Sequence, residues 1–126
     1  MNKRRTTIMI VDDNDMMRSI LRGMLRGESC DVVGEARNGV QAVEMADRLK
    51  PDIVCIDVMK PEKNGIEALV EIKAARPETV VVMITSNADS NTVHQAIGNG
   101  ASGFIIKPFN AARVHDTLQK LSERGR

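Results

Sequence analysis

An alternation along this chain narrows its choice of fold more than any other feature. Four short, unbroken apolar runs rich in Ile and Val, at 8–11, 53–56, 80–84 and 104–106, are separated by longer segments whose apolar residues fall at helical spacing. A strand with one wet face would alternate apolar and polar residues. Continuous runs of this length describe strands covered on both faces, as in a parallel sheet. The intervening segments supply the cover: Met17, Ile20, Leu21, Met24 and Leu25 form one helical stripe, and Ala111, Val114, Leu118 and Leu121 another. A further run, 31–35, is shorter and more polar and reads as an edge strand, followed by a helix bearing Ala42, Val43, Ala46 and Leu49. Pro51 and Pro77 stand just ahead of the third and fourth strands, where they stop the preceding helices without removing a needed ladder donor.

Strand followed by helix, five times over with right-handed crossovers, leaves few windings. The expectation is an α/β fold: a doubly wound, five-stranded parallel sheet of order 2-1-3-4-5, flavodoxin-like, with helices on both faces. The 126 residues suit one domain, 1–126, with a core from about 6 to 122.

Parallel strands place their C-terminal ends on one rim, and here each long run ends in a reactive side chain. The first is followed by Asp12 and Asp13, the third strand by Asp57, the fourth by Thr85 and the fifth by Lys107. In the order 2-1-3-4-5 the first and third strands flank the crevice where such sheets bind ligands, so the three carboxylates would meet there. Crowded carboxylates repel unless a cation neutralises them. Oxygen ligands without a nearby histidine or thiolate favour Mg²⁺, Mn²⁺ or Ca²⁺ over zinc. With Lys107 as a movable cation and Thr85 as a hydroxyl donor, the set suits phosphoryl transfer, and Asp57 on the central strand is the candidate nucleophile, forming an aspartyl phosphate. The alternative is that the aspartates cap helices at strand exits, a common role for an isolated Asp.

These residues resemble the response-regulator receiver domain of two-component signalling, in particular its stand-alone chemotaxis-type members. The resemblance runs over 8–121 and rests on the pair Asp12-Asp13, the segment Asp57-Val58-Met59-Lys60-Pro61 followed by Gly65, Thr85, and Lys107-Pro108. It implies that Asp57 is the phosphoacceptor, with Asp13 and Asp57 ligating Mg²⁺ directly, Asp12 through water, and the Met59 backbone carbonyl completing the protein ligands; Mn²⁺ would substitute. It further implies that Lys107 pairs with the phosphoryl group, that Thr85 moves in to bond it, that Phe104 changes rotamer in concert, and that the Lys107-Pro108 bond is cis. The implied partners are a histidine kinase or phosphotransfer protein and a downstream protein target. The only catalysis implied is of the chain's own phosphorylation and dephosphorylation. Three positions depart from the family pattern: Lys60 stands where an apolar residue is usual, Asn64 replaces an Asp before Gly65, and Phe104 lacks the hydroxyl of a tyrosine.

Composition excludes other classes. Eighteen basic against seventeen acidic residues give a net charge of +1, which argues neither for nor against a nucleic-acid partner. The Lys3-Arg4-Arg5 run reads as a solvated terminus, and no helix-turn-helix segment follows the last helix. No apolar stretch approaches the roughly 18 residues of a membrane span, and no signal-peptide pattern opens the chain. Cys30 and Cys55 have no metal spacing, so a reducing cytoplasm is the expected setting. Gly98, Gly100 and Gly103 match a dinucleotide pattern but follow a helix and precede a strand, the reverse of its order; a helix C-cap and turn explains them. His94 and His115 lie in helices without partner ligands at metal spacing. Met16 borders the acidic rim and could edge a partner site.

The fourth helix, Ser90–Gly98, has only Val93, Ala96 and Ile97 as an apolar stripe, so it is expected to be mobile and, with the fifth strand and fifth helix, to form the output face. A receiver-like interaction module that works without phosphorylation is the alternative, with the Lys60 ammonium mimicking the cation. A metal hydrolase would need a general base and substrate pocket beyond this rim, and the sequence offers neither.

Overall fold

The computed structural model describes residues 6–25, 30–57, 65–85, 90–106 and 110–124. In chain order the elements are β1 (Thr6–Val11), α1 (Asp15–Leu25), β2 (Cys30–Ala36), α2 (Gly39–Leu49), β3 (Ile53–Asp57), α3 (Gly65–Ala75), β4 (Val80–Thr85), α4 (Ser90–Gly98), β5 (Gly103–Ile106) and α5 (Ala111–Arg124). All strand pairs are parallel, and the order is β2-β1-β3-β4-β5, as the alternation of runs and stripes predicts.

Successive residues of the inner strands point to opposite faces, and the two cores divide accordingly. Met9, Val11, Val54, Ile56, Val81 and Met83 pack against α2, α3 and α4 through Ala42, Ala46, Leu69, Ile72 and Ala96. Ile8, Ile10, Ile53, Cys55, Val82, Ile84 and Ile105 pack against α1 and α5 through Leu21, Leu25, Val114 and Leu118. Each fully buried Ile or Leu contributes about 2 kcal/mol relative to exposure, so the centre of the sheet dominates the stability.

The helical stripes are narrower than the sequence predicts. Ile20 is 42% exposed and Ile97 58% exposed, because Leu21 and Ala96, next to them in sequence, take the buried position and a one-residue step turns the side chain about 100° round the helix. The side chain of Val93 lies outside the described residues. The edge strand also differs. β2 has seven residues, the most of any strand among the described residues, and its register against β1 jumps from Ile8↔Val32 to Met9↔Gly34, leaving Val33 as a bulge residue. Gly34 then lies under α2, where a Cβ would come within 2.7 Å of Leu49 Cδ1 and 2.9 Å of Met45 Cε.

The glycine-rich turn after α4 is a Schellman-type cap: Ala101 N–H donates to Ala96 O (2.9 Å) and Gly100 N–H to Ile97 O (3.0 Å), with Gly100 at φ +104°. Its glycines serve the end of a helix. No described helix is long and apolar enough to cross a membrane.

Candidate functional site

The C-terminal ends of β1 and β3 form the site. The last pair of their ladder is Val11↔Ile56, so the next residues, Asp12 and Asp57, leave adjacent strands side by side, with strands about 4.8 Å apart. Both are buried, Asp12 2% and Asp57 5% exposed, whereas Asp13 is exposed. On the far side Asp57 pairs with Ile84, and Thr85, the last residue of β4, pairs with Ile106. The rim therefore rises by one residue from β3 to β4, Thr85 standing one residue beyond the level of Asp57 and level with Ile106 of β5. Thr85 stands in its expected place in the backbone, although its side chain lies outside the described residues, as do Met59, Lys60, Asn64, Lys107 and Pro108, and with them the expectation of a cis bond. Phe104 is half-buried and packs on the core shared with α2, α3 and α4.

Helix capping does not account for the acidic pair. Asn14 caps α1, its Oδ1 accepting from Met17 N at 2.9 Å. Asn38 caps α2, accepting from Gln41 N at 2.9 Å, and Asn110 caps α5, accepting from Arg113 N at 2.9 Å. Sequence reasoning placed Asn38 ahead of its helix without giving it a capping role and passed over Asn14 and Asn110, although an Asn just ahead of an apolar helical stripe is a readable signal. Asp12 instead closes a local turn, its Oδ1 accepting from Asn14 N at 2.9 Å, while its N–H extends the β1–β2 ladder to Ala36 O at 3.0 Å.

Two buried carboxylates on neighbouring strand ends oppose each other's ionisation unless a cation lies between them. Among the described residues no group of three or more His, Cys, Asp or Glu side chains is placed to hold a metal ion by itself. Asp12, Asp13 and Asp57 offer oxygen ligands only. Ca²⁺ takes six to eight oxygens and structural zinc four N or S ligands, whereas Mg²⁺ is held by one or two carboxylates with waters and phosphate oxygens. The rim fits Mg²⁺.

Sequence reasoning also missed Arg18. It projects from α1, and its Nη1 donates to the carbonyl oxygen of Asp12 at 2.6 Å; it is ion-paired with Glu35 of β2 at 3.4 Å and with Asp15. Only the Asp15–Arg18 spacing is visible in the sequence. The thiols take no part in the rim. Burial pushes the Cys55 thiol up to about 12, so it stays protonated, and a strand and four register positions separate it from Cys30, too far for a disulfide.

The model of the response regulator receiver domain matches residues 8–119. This chain belongs to that family. A chemotaxis protein CheY of Listeria monocytogenes serovar 1/2a is 40% identical over 116 residues, 92% of this chain and 98% of that protein. The response regulator domain of Thermotoga maritima CheB superposes with a TM-score of 0.80 at 35% identity, covering 98% of this chain and 95% of that one. A structure of the CheX-CheY-BeF3-Mg²⁺ complex from Borrelia burgdorferi superposes with a TM-score of 0.88 at 26% identity, covering 92% of this chain and 88% of that one. As a CheY-like receiver domain the chain is a phosphoacceptor signalling switch of two-component systems.

Proposed function

We propose that Asp57 is the residue that accepts the phosphoryl group and that Asp12 and Asp13 prepare the site for it. The observation that carries this is the pairing of two buried carboxylates, Asp12 and Asp57, on adjacent strand ends, with Asp13 open to solvent beside them. A carboxylate oxygen of Asp57 attacks phosphorus, the bond from phosphorus to the donor breaks, and the leaving imidazole or carboxylate departs with that electron pair. Bound Mg²⁺, with Mn²⁺ as a substitute, neutralises charge on the transferring oxygens.

Asp13 and Asp57 would hold that ion, with the carbonyl of Met59. Asp12 would act through water, in keeping with an Oδ1 already engaged by Asn14 N–H. Lys107 pairs with the phosphoryl group, and Thr85 and Phe104 carry the change towards β5. The chain catalyses its own phosphorylation and dephosphorylation and no other reaction.

The donor is a histidine kinase or phosphotransfer protein of the cytoplasm. Met16 and Ile20, one turn apart on α1 and 73% and 42% exposed, give it an apolar landing beside the rim. The output passes through α4, β5 and α5 to a protein target rather than to nucleic acid. Exposed Ile97 and Ile106, together with the single buried anchor Ala96 among the described side chains of α4, support a face that can shift.

Intact-mass measurement after treatment with acetyl phosphate tests the proposal. A phosphoryl adduct that requires Mg²⁺ and is lost in Asp57→Asn is expected. A folded chain that takes up no phosphate would instead be an interaction module that works without it.

A further inference from the structure

The carbonyl oxygen of Asp12 belongs to the peptide that joins Asp12 to Asp13. It accepts from Arg18 Nη1 at 2.6 Å, so that peptide is held by a guanidinium from α1. The guanidinium is itself fixed. Its Nε faces Glu35 Oε1 at 3.4 Å, Asp15 pairs with Nη2, and the other Glu35 oxygen is held by Arg22 Nη1. The side chain of Arg18 is only 12% exposed and that of Glu35 25%, so this is not a solvated surface pair. Glu35 lies on β2 just before Ala36, whose carbonyl accepts from Asp12 N–H. Both sides of the Asp12 backbone are thus tied to the same edge strand.

We propose that Arg18, locked by Glu35, is a positioning residue that fixes the Asp12–Asp13 peptide and thereby the fit of the acidic pair to a divalent cation. The inference rests on the rim being the Mg²⁺ site. Groups that orient metal ligands without touching the metal change affinity strongly when removed, because the ligands must then be ordered at the moment of binding.

Charge and position give opposite signs here. Arg18 is a cation near the site, so by Coulomb's law alone its removal should tighten Mg²⁺ binding. A positioning role requires the reverse.

The test is Mg²⁺ titration of the full chain by calorimetry, comparing the native protein with Arg18→Met and Arg18→Lys, with thermal melts in metal-free buffer. Lysine keeps the charge but cannot hold the Asp12 carbonyl and Glu35 in one planar fork. Both variants are expected to bind Mg²⁺ on the order of tenfold more weakly. If Arg18→Met unfolds, Arg18→Lys alone decides. Unchanged or tighter Mg²⁺ binding in the folded variants would overturn the positioning role while leaving the metal site intact. A native chain that binds no Mg²⁺ would overturn the metal site and this inference with it.

Discussion

Replacing Asp52 by Ala should destabilise the fold without touching its chemistry. At the N-terminal end of the sheet, Asp52 Oδ2 accepts from Thr7 N at 2.9 Å and from Thr7 Oγ1 at 3.1 Å, while Asp52 N–H is shared between Thr7 O and Oγ1 at 3.0 Å each. The carbonyl of Asp52 then receives Val80 N–H at 2.9 Å, so one residue joins the beginnings of β1, β3 and β4. Truncation removes the two bonds to the carboxylate and keeps those of the backbone. Bonds to a charged acceptor contribute roughly 1.5–3 kcal/mol each when buried, and because this site is half-buried water recovers part of the loss. The net cost is about 2–3 kcal/mol. Asp52→Asn, which keeps an acceptor oxygen but loses the charge, should cost about half as much.

The chain has no Trp or Tyr, so urea unfolding is followed by far-ultraviolet circular dichroism. The midpoint should fall with an unchanged m-value. Thr7 and Asp12 are separated by about 16 Å along β1 at the rise of a strand, so Mg²⁺ affinity should stay at the native value. A loss below about 0.5 kcal/mol, within the range of ordinary surface substitutions, would refute the stabilising role, and an altered Mg²⁺ affinity would refute the separation of the two ends.

Other substitutions follow from particular contacts. Gly34→Val would drive Cβ and two methyl groups into Leu49, Met45 and Met9, costing about 2 kcal/mol by urea unfolding, whereas Gly34→Ala displaces only the mobile ends of Leu49 and Met45 and should cost under about 1 kcal/mol. Gly100→Ala places a Cβ at φ +104° and 3.1 Å from Lys73 Cε, and a loss of about 1–2 kcal/mol is expected in the same assay. For Cys55 the folded thiol is raised from 9.0 to about 12, so the unfolded chain ionises first. Its contribution to stability is complete below about pH 9 and is lost as pH rises from there towards 12, at up to about 1.4 kcal/mol per pH unit. Cys55→Ala should lose stability less steeply over that window, and an unchanged slope would contradict the burial argument.

The legible parts of this fold are those in which a residue's role depends on its own strand or helix. β1, β3 and β4 are covered on both faces and announce themselves as unbroken apolar runs, and the residues just past those runs mark the rim, so the sequence alone places Asp12 and Asp57 on neighbouring strand ends. β2 was legible only as an edge strand. Its bulge at Val33 arises from the register with β1 and from the room that Gly34 leaves for Leu49 and Met45, neither of which is written in residues 31–35.

Ile20 and Ile97 illustrate a second limit. Periodicity brackets a helical face but does not say which of two adjacent apolar residues will be buried, and Leu21 and Ala96 took those places. The Arg18–Glu35 clamp was not readable at all, because it joins a helix to a strand across a turn and depends on how far α1 leans over the edge of the sheet. Asn14 and Asn110 were readable and were overlooked beside the more conspicuous aspartates.

The central claim is that the phosphoryl group resides on Asp57 and on no other carboxylate of the rim. Hydride reduction of the phosphorylated chain converts an aspartyl phosphate, and not a free aspartate, to homoserine, and peptide sequencing by mass spectrometry then locates the residue. Homoserine at position 57, formed only when the phosphodonor and Mg²⁺ are both present, is the expected result. Homoserine at position 12 or 13, with Asp57 intact, would contradict the account.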